Sequence, residues 1–203
     1  GSGLDDTWEW DGTNWHEITT ADAPDPRGIH GALAYDSVRH RVVLRGGGTF
    51  PGQTIFGDTW EYDGTNWVEV TGAGPDPLVA PAIAYDEARN RTIFFGGGTW
   101  SPYADETWTY DGSTWSELMP TDQPGPRQSA RLVYDPTRSI LLMFGGDNGS
   151  LLNDTWEWDG SNWSEVNVEG PPPRCCYAYA LDLERRAAVL FGGSDNQTWV
   201  YSQ

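Results

Sequence analysis

The chain has 203 residues, with 30 acidic against 12 basic side chains and a formal charge of −18. All the basic residues are arginine, and the acidic excess argues against nucleic acid and anionic membrane surfaces as partners because both need dense Lys/Arg patches. No apolar run approaches the length of a membrane span, and the length suits one sizeable domain or a ring of small ones.

Gly1-Ser2-Gly3 reads as a cloning remnant, which sets residues 1–4 apart from a domain over 5–203. Thr7–Trp10 alternates polar with aromatic residues, as half-buried strands do, and Asp11-Gly12 is a hairpin signal. The return strand Trp15–Ile18 opens on a second Trp seven residues after Trp8 and carries acids that suit an outer edge. The connector Ala23-Pro24-Asp25-Pro26 is a stiff loop, because proline blocks both helix and central strand. A strand of small residues then runs to Tyr35, which suits a crowded place near an axis. Asp36 and Arg39 read as an acid that caps the next turn and holds the arginine. The apolar run 42–44 reads as a buried strand, closed by Gly46-Gly47 where the backbone turns or approaches another segment closely.

The order then repeats. Strands over 58–62, 106–110 and 154–158 each lead through Asp-Gly to Trp67–Val70, Trp115–Leu118 and Trp163–Val166. Proline connectors at 74–77, 123–126 and 170–173 precede small-residue strands ending at Tyr85, Tyr134 and Leu181. The pairs Asp86/Arg89, Asp135/Arg138 and Asp182/Arg185 follow. Buried runs over 92–95, 140–144 and Ala187–Phe191 end in Gly-Gly. A last Thr-Trp strand covers 198–201. The Thr-Trp pairs at Trp8, Trp60, Trp108, Trp156 and Trp199 are 52, 48, 48 and 43 residues apart, a period that marks a repeat architecture. Each unit is four antiparallel strands, here called a (small), b (apolar), c (Thr-Trp) and d (second Trp). A sheet this small cannot bury both faces alone, and stacking such blades around an axis solves that. Two tryptophans per blade supply much of the contact, at roughly 150–250 Å² per ring.

Gly-Gly, a following aromatic and a Trp seven residues later, in four copies, resemble the kelch repeat. The Asp-Gly-x-x-Trp and Tyr-Asp-x-x-Arg variants resemble kelch-like proteins of bacteria in particular. The resemblance runs from about Asp5 to Tyr201 and implies an all-β kelch-type propeller with four repeats per chain. It implies little about activity, since one fold hosts many functions. The chain starts and ends on strand c, giving four blade equivalents plus one surplus strand. Three closures fit: Trp15–Ile18 joins the C-terminal a-b-c set in a four-bladed ring, two chains exchange strands in an eight-bladed homodimer, or the chain is a segment of a longer propeller.

Strands b and d end where a and c begin, so the proline connectors and the b–c loops share one face, the expected binding face. The b–c loops at 49–57 and 99–105 carry Phe50, Phe56, Trp100 and Tyr103, residue types common at protein and sugar contacts. Phe56 and Tyr103 have an alternative role as covers for their own blades. Arg27, Arg127 and Arg174 each follow the connector prolines, whereas Leu78 takes that place in the second copy. Kelch-like domains hold acidic peptide motifs with arginines so placed, and three guanidiniums near one channel suit bidentate anion binding. The alternative is hydrogen bonding to carbonyls of the neighbouring blade. Arg131, His30 and Tyr177 on strand a do not recur and are candidate ligand-specific contacts.

No catalytic residues are expected. His16, His30 and His40 do not converge for zinc, and no phosphate loop or nucleophile elbow is present. The copper-and-tyrosine and iron constellations of enzyme kelch families do not map onto this chain, so no cofactor and no metal are expected. Oxygens of Asp147, Asn148, Asp154, Asp195 and Asn196 fit no calcium loop spacing. Adjacent Cys175 and Cys176 read as two small buried thiols, because a bridge between neighbours is strained. The favoured function is a non-catalytic module on a bacterial surface, or secreted, that binds a protein or peptide through the looped face. The alternatives are a carbohydrate-binding or carbohydrate-active propeller stacking sugars on Trp100 and Tyr103, and a propeller that assembles by strand exchange.

Overall fold

The computed structural model describes residues 3–28, 30–49, 54–99, 102–193 and 195–202, in which every regular element is a strand. No helix among them is long and apolar enough to cross a membrane. In chain order, β1 (Thr7–Trp10) pairs with β2 (Trp15–Ile18). Four-stranded antiparallel blades follow: β3 (Ala32–Asp36), β4 (Arg41–Arg45), β5 (Thr59–Tyr62), β6 (Trp67–Val70); then β7 (Ala82–Asp86), β8 (Arg91–Gly98), β9 (Tyr103–Tyr110), β10 (Trp115–Leu118); then β11 (Arg131–Asp135), β12 (Ile140–Asp147), β13 (Leu151–Trp158), β14 (Trp163–Val166). The last sheet holds β15 (Ala178–Asp182), β16 (Ala187–Phe191) and β17 (Thr198–Ser202). The small-residue strands β3, β7, β11 and β15 stand side by side on the inside. They line a central opening that includes Leu33, Tyr85, Tyr134 and Leu181. The chain is an all-β propeller of antiparallel blades.

Two loops differ from expectation. Gly97 pairs with Ala104 and Gly98 with Tyr103, after a register shift beyond Phe95. Gly146 likewise pairs with Leu152 and Asp147 with Leu151. The b–c segments of the second and third blades are therefore tall hairpins, and Tyr103 sits on a strand. The bulge is where Gly-Gly is needed: Gly96 has φ +62, and a Cβ there would stand 2.5 Å from the Arg127 carbonyl. We expect Gly96→Ala to lower stability by at least 1 kcal/mol, the usual cost of forcing a side chain into such backbone, read as a shift in urea midpoint.

The c–d hairpin loops are four residues long, since Trp10 faces Trp15 and Tyr62 faces Trp67. In each, the Asp side chain accepts two backbone N–H groups, as Asp63 does from Thr65 and Asn66 at 2.9 Å each. These bonds, with that from the Thr65 hydroxyl foremost, pull the Asp63 carboxyl down to about 2.

The core is divided into wedges between blades rather than gathered in one centre. Phe95, Leu132, Leu141, Met143, Trp158 and Trp163 fill the wedge between the second and third blades. Val43, Phe94, Tyr110 and Trp115 fill the one before it. Each wedge carries one hydrogen-bonded latch. The d-strand indole N–H of Trp67, Trp115 and Trp163 donates at 2.9 Å to the hydroxyl of Thr7, Thr59 and Thr107 on the preceding blade. Tyr62 and Tyr110 add hydroxyl bonds of 2.9 Å to Glu9 and Glu61 of the preceding c strand. In the third blade Trp158 replaces this tyrosine, and its buried indole N–H has no hydrogen-bond partner among the described residues.

The Asp/Arg pairs cap their turns as expected, with Arg39 2.7 Å from Asp36 and Arg138 2.9 Å from Asp135. They also tie blades together: Arg39 donates to the Gly112 carbonyl, and Arg89 to that of Asp159, each on the next blade.

Strand closure differs from the first of the three arrangements. Strand β2 registers only with β1, and β17 only with β16, so Trp15–Ile18 does not complete the C-terminal set. The N-terminal hairpin packs instead against the blade that follows it, through Trp67 and Tyr62. Trp8, Trp10 and Trp15 remain about half exposed or more, as do Phe191 and Val200 at the other end.

The cysteines also differ. Cys176 is exposed and Cys175 half-buried; both are free, with sulfurs 3.0 Å apart. Cys176 occupies a left-handed position (φ +60) that recurs at His30, Ala80 and Ser129, just before strand a. Burial, then the adjoining Cys176 thiol, push the Cys175 thiol up to about 12.

Candidate functional site

Proline connectors deliver one residue to the same place in every blade, just before strand a. In three blades it is arginine. Arg127 is the clearest case: its guanidinium donates to both carboxylate oxygens of Asp154 at 2.6 and 2.7 Å, and to the carbonyls of Gly145 and Gly125 at 3.0 Å each. Arg27 does the same with Asp58 (3.0 and 2.8 Å) and Gly46 (2.8 Å), and Arg174 with Asp195 (3.2 Å twice) and Gly192 (2.9 Å). In the first and third blades the carboxylate is the acid preceding Thr-Trp, and its second oxygen also takes the indole N–H of Trp60 or Trp156 at 2.7 Å; in the last sheet it is Asp195, on the loop before Thr198. The carbonyl is the first glycine of Gly-Gly. The clamp thus ties strands a, b and c of one blade, not two neighbouring blades.

Arg27, Arg127 and Arg174, expected as ligand contacts with internal hydrogen bonding as the alternative, bond a carboxylate and a carbonyl of their own blades. All three are buried or nearly so, with Arg174 fully enclosed, and four of the five N–H donors of Arg127 are engaged within the chain. Asp154 and Asp195, weighed as calcium ligands, are engaged by the same guanidiniums. Phe56 folds inward, with the Arg27 guanidinium 4.4 Å above its ring, a cation–π contact.

The clamp carboxylates titrate accordingly. Burial alone raises Asp58 and Asp154, but hydrogen bonds and charge from Arg27 and Arg127, with the indole N–H groups, hold both below the ordinary carboxylate value. A depressed native value gives stability that is complete above the unfolded value, near pH 4, and is lost as pH falls through the lower native one. The expected result is acid unfolding that begins below pH 4 and is blunted by Asp154→Asn, followed by tryptophan fluorescence.

Other expected site residues scatter. Tyr177 is buried, with its hydroxyl donating to the Phe144 carbonyl and its ring edge-on to Phe144 at 5.8 Å. Burial drives its hydroxyl pKa upward. His30 is exposed, and its carbonyl accepts the Ala80 N–H at 3.0 Å; Ala80 in turn accepts from Ser129 at 2.7 Å, a backbone chain running across the blades. What recurs there is the backbone, which explains why the side chains vary. Arg131 is half-buried at the start of β11. Phe50 and Trp100 lie outside the described residues.

Tyr103 alone of the expected contacts lines a large cavity. A cleft of about 780 Å³ opens between the first and second blades, bounded by the 74–78 connector on one side and Tyr103, Glu106 and Trp108 on the other. It coincides with the one copy that lacks the arginine. Leu78 is buried in the wedge below, packed with Val43 and Phe94. Ala104 stands where Phe56 covers the first blade. Glu106 replaces the clamp aspartate, is exposed, and makes no hydrogen bond or ion pair among the described residues. Asp76 and Glu117 add carboxylates to its rim. The break at Leu78 was visible in the sequence, but its consequence was not, because the acids that pair with the arginines lie far along the chain.

Radial four-stranded blades with internal Arg–Asp clamps define a scaffold propeller, whose recurrent polar residues serve the fold. The chain belongs to the KLHDC2/KLHL20/DRC7 Kelch-repeats domain family, whose model matches residues 3–193. It is also similar to the flagellar outer-arm dynein alpha chain of Chlamydomonas reinhardtii, 37% identical over 76 residues that make up 36% of this chain and 2% of that protein.

Proposed function

We propose that the propeller is a non-catalytic scaffold that binds a protein or peptide on the face formed by its proline connectors and b–c hairpins. The observation carrying this reading is that recurrent polar side chains are consumed internally, while the copies diverge at one open cleft on that face. Kelch propellers commonly mediate protein–protein contact, which agrees. A peptide library selected on the folded chain tests it. Binding should fall at least tenfold with Tyr103→Ala on the hairpin face and stay unchanged with Glu87→Ala or Asn90→Ala on the opposite turns. The reverse pattern sinks the reading.

A second reading, assembly through the end sheets, has its own observation. The exposed Trp8, Trp10 and Trp15 at one end and Phe191 and Val200 at the other lie on sheets with a free edge, and such edges are templates for pairing. Native mass measurement should then give twice the chain mass, and deleting residues 198–203 should return it to one without unfolding. A single-chain mass at micromolar concentration overturns this reading.

A further inference from the structure

We propose that the cleft of the second blade takes an arginine side chain from another molecule, a cationic peptide segment, whose guanidinium fills the place that Leu78 leaves. This rests on the peptide-binding reading and names its ligand chemistry.

The chain itself shows what the site is built to hold. Two blades present a carboxylate before Thr-Trp, the first carbonyl of Gly-Gly and an indole N–H, and in each a guanidinium lies between carboxylate and carbonyl; in the last sheet Asp195 and the Gly192 carbonyl hold Arg174 in the same way. The second blade keeps these groups at the matching positions: Glu106, Gly96 and Trp108. Only the cation is absent. Leu78 packs into the apolar wedge at the floor of the cleft, and the phenyl cover of the first blade is reduced to Ala104, so Glu106 and Trp108 border the cleft. Glu106 is one methylene longer than the clamp aspartates, which carries its carboxylate toward solvent and toward a ligand arriving from outside.

Charge favours the same occupant. Asp76, Glu106 and Glu117 border the cleft, and the whole chain carries −18, which draws in cations over longer range. One fixed cation stands behind the connector. Arg45 is buried, donates to Thr59 at 2.8 Å and to the Pro75 carbonyl, and faces Asp58 and Asp76. Burial pulls it down to about 10, with those two acids opposing the fall. Tyr103 and Trp108 provide ring faces, on which a planar guanidinium stacks and an ammonium does so less well.

The experiment titrates the intact chain with acetyl-Gly-Arg-Gly-amide, followed by calorimetry and Trp fluorescence at low salt, beside the lysine and citrulline counterparts. Arginine peptide should bind, the lysine peptide several-fold more weakly, and the neutral citrulline peptide not measurably. Glu106→Gln, an exposed change, should weaken binding at least tenfold. Leu78→Arg with Glu106→Asp rebuilds the internal clamp and should abolish binding while raising the melting temperature. Equal binding of arginine and citrulline peptides, binding indifferent to Glu106→Gln, or no arginine binding at millimolar peptide each overturn the proposal. The wider reading fails separately, if selected peptides ignore Tyr103→Ala.

Discussion

Trp163→Ala is expected to cost about 3–5 kcal/mol, the range for emptying a large aromatic from a packed core. Trp163 is fully buried. Its ring lies 5.2 Å from both Trp158 and Phe95, so it touches its own blade and the preceding one. Its N–H donates to Thr107, which is itself buried. Truncation therefore leaves a cavity at the wedge and an unmatched hydroxyl beside it. Trp163→Phe separates the two: it keeps most of the ring contact and loses the latch, with an expected loss of about 1 kcal/mol. Urea denaturation of the three proteins checks both figures. If the alanine variant unfolds at the native midpoint, the wedges between blades are not what holds the propeller.

Arg127→Leu is the second large effect, also about 3–5 kcal/mol, because removing one member of a buried ion pair strands the other. Asp154 would keep only the indole bond from Trp156, and the Gly145 carbonyl would lose its donor. The change copies what the second blade already has at Leu78, but without the exposed, longer Glu106 that makes leucine tolerable there. Adding Asp154→Asn should recover part of the loss, since the stranded charge is then gone; residues sharing one network are not additive. A double mutant as unstable as the sum of its parts argues that the two side chains act apart. The single variant should also lose much of the native sensitivity below pH 4, for the depressed carboxylate no longer has its cation.

Most strand positions were legible because they rest on local rules. Trp15–Ile18, Trp67–Val70, Trp115–Leu118 and Trp163–Val166 fall where the second tryptophan placed them, and the acids of these strands do lie on outer edges. Gly-Gly marked the end of strand b correctly in the first copy. In the second and third, pairing resumes past the bulge, because Gly97 and Gly146 can turn and still leave the following residues extended. Nothing in a local window distinguishes a loop from a hairpin that resumes.

The arginines show the harder limit. Their recurrence was visible at Arg27, Arg127 and Arg174, and so was the recurrence of an acid before Thr-Trp. Arg27 and Arg127 lie 31 and 27 residues from these acids, and Arg174 lies 21 from Asp195, and only the pairing of strand a with b, and b with c, brings them within hydrogen-bond reach. Two marks that look like a ligand site and a strand start are one structural device.

Chain chemistry alone settled the repeat, the strand alternation, the acidic surface and the odd residue at position 78, since each follows from spacing and side-chain type along a short stretch. Which arginines are spent inside, which carboxylate is left free and where the cleft opens were decided by the fold, because burial and hydrogen-bond partnership depend on neighbours that only strand pairing and blade stacking bring together.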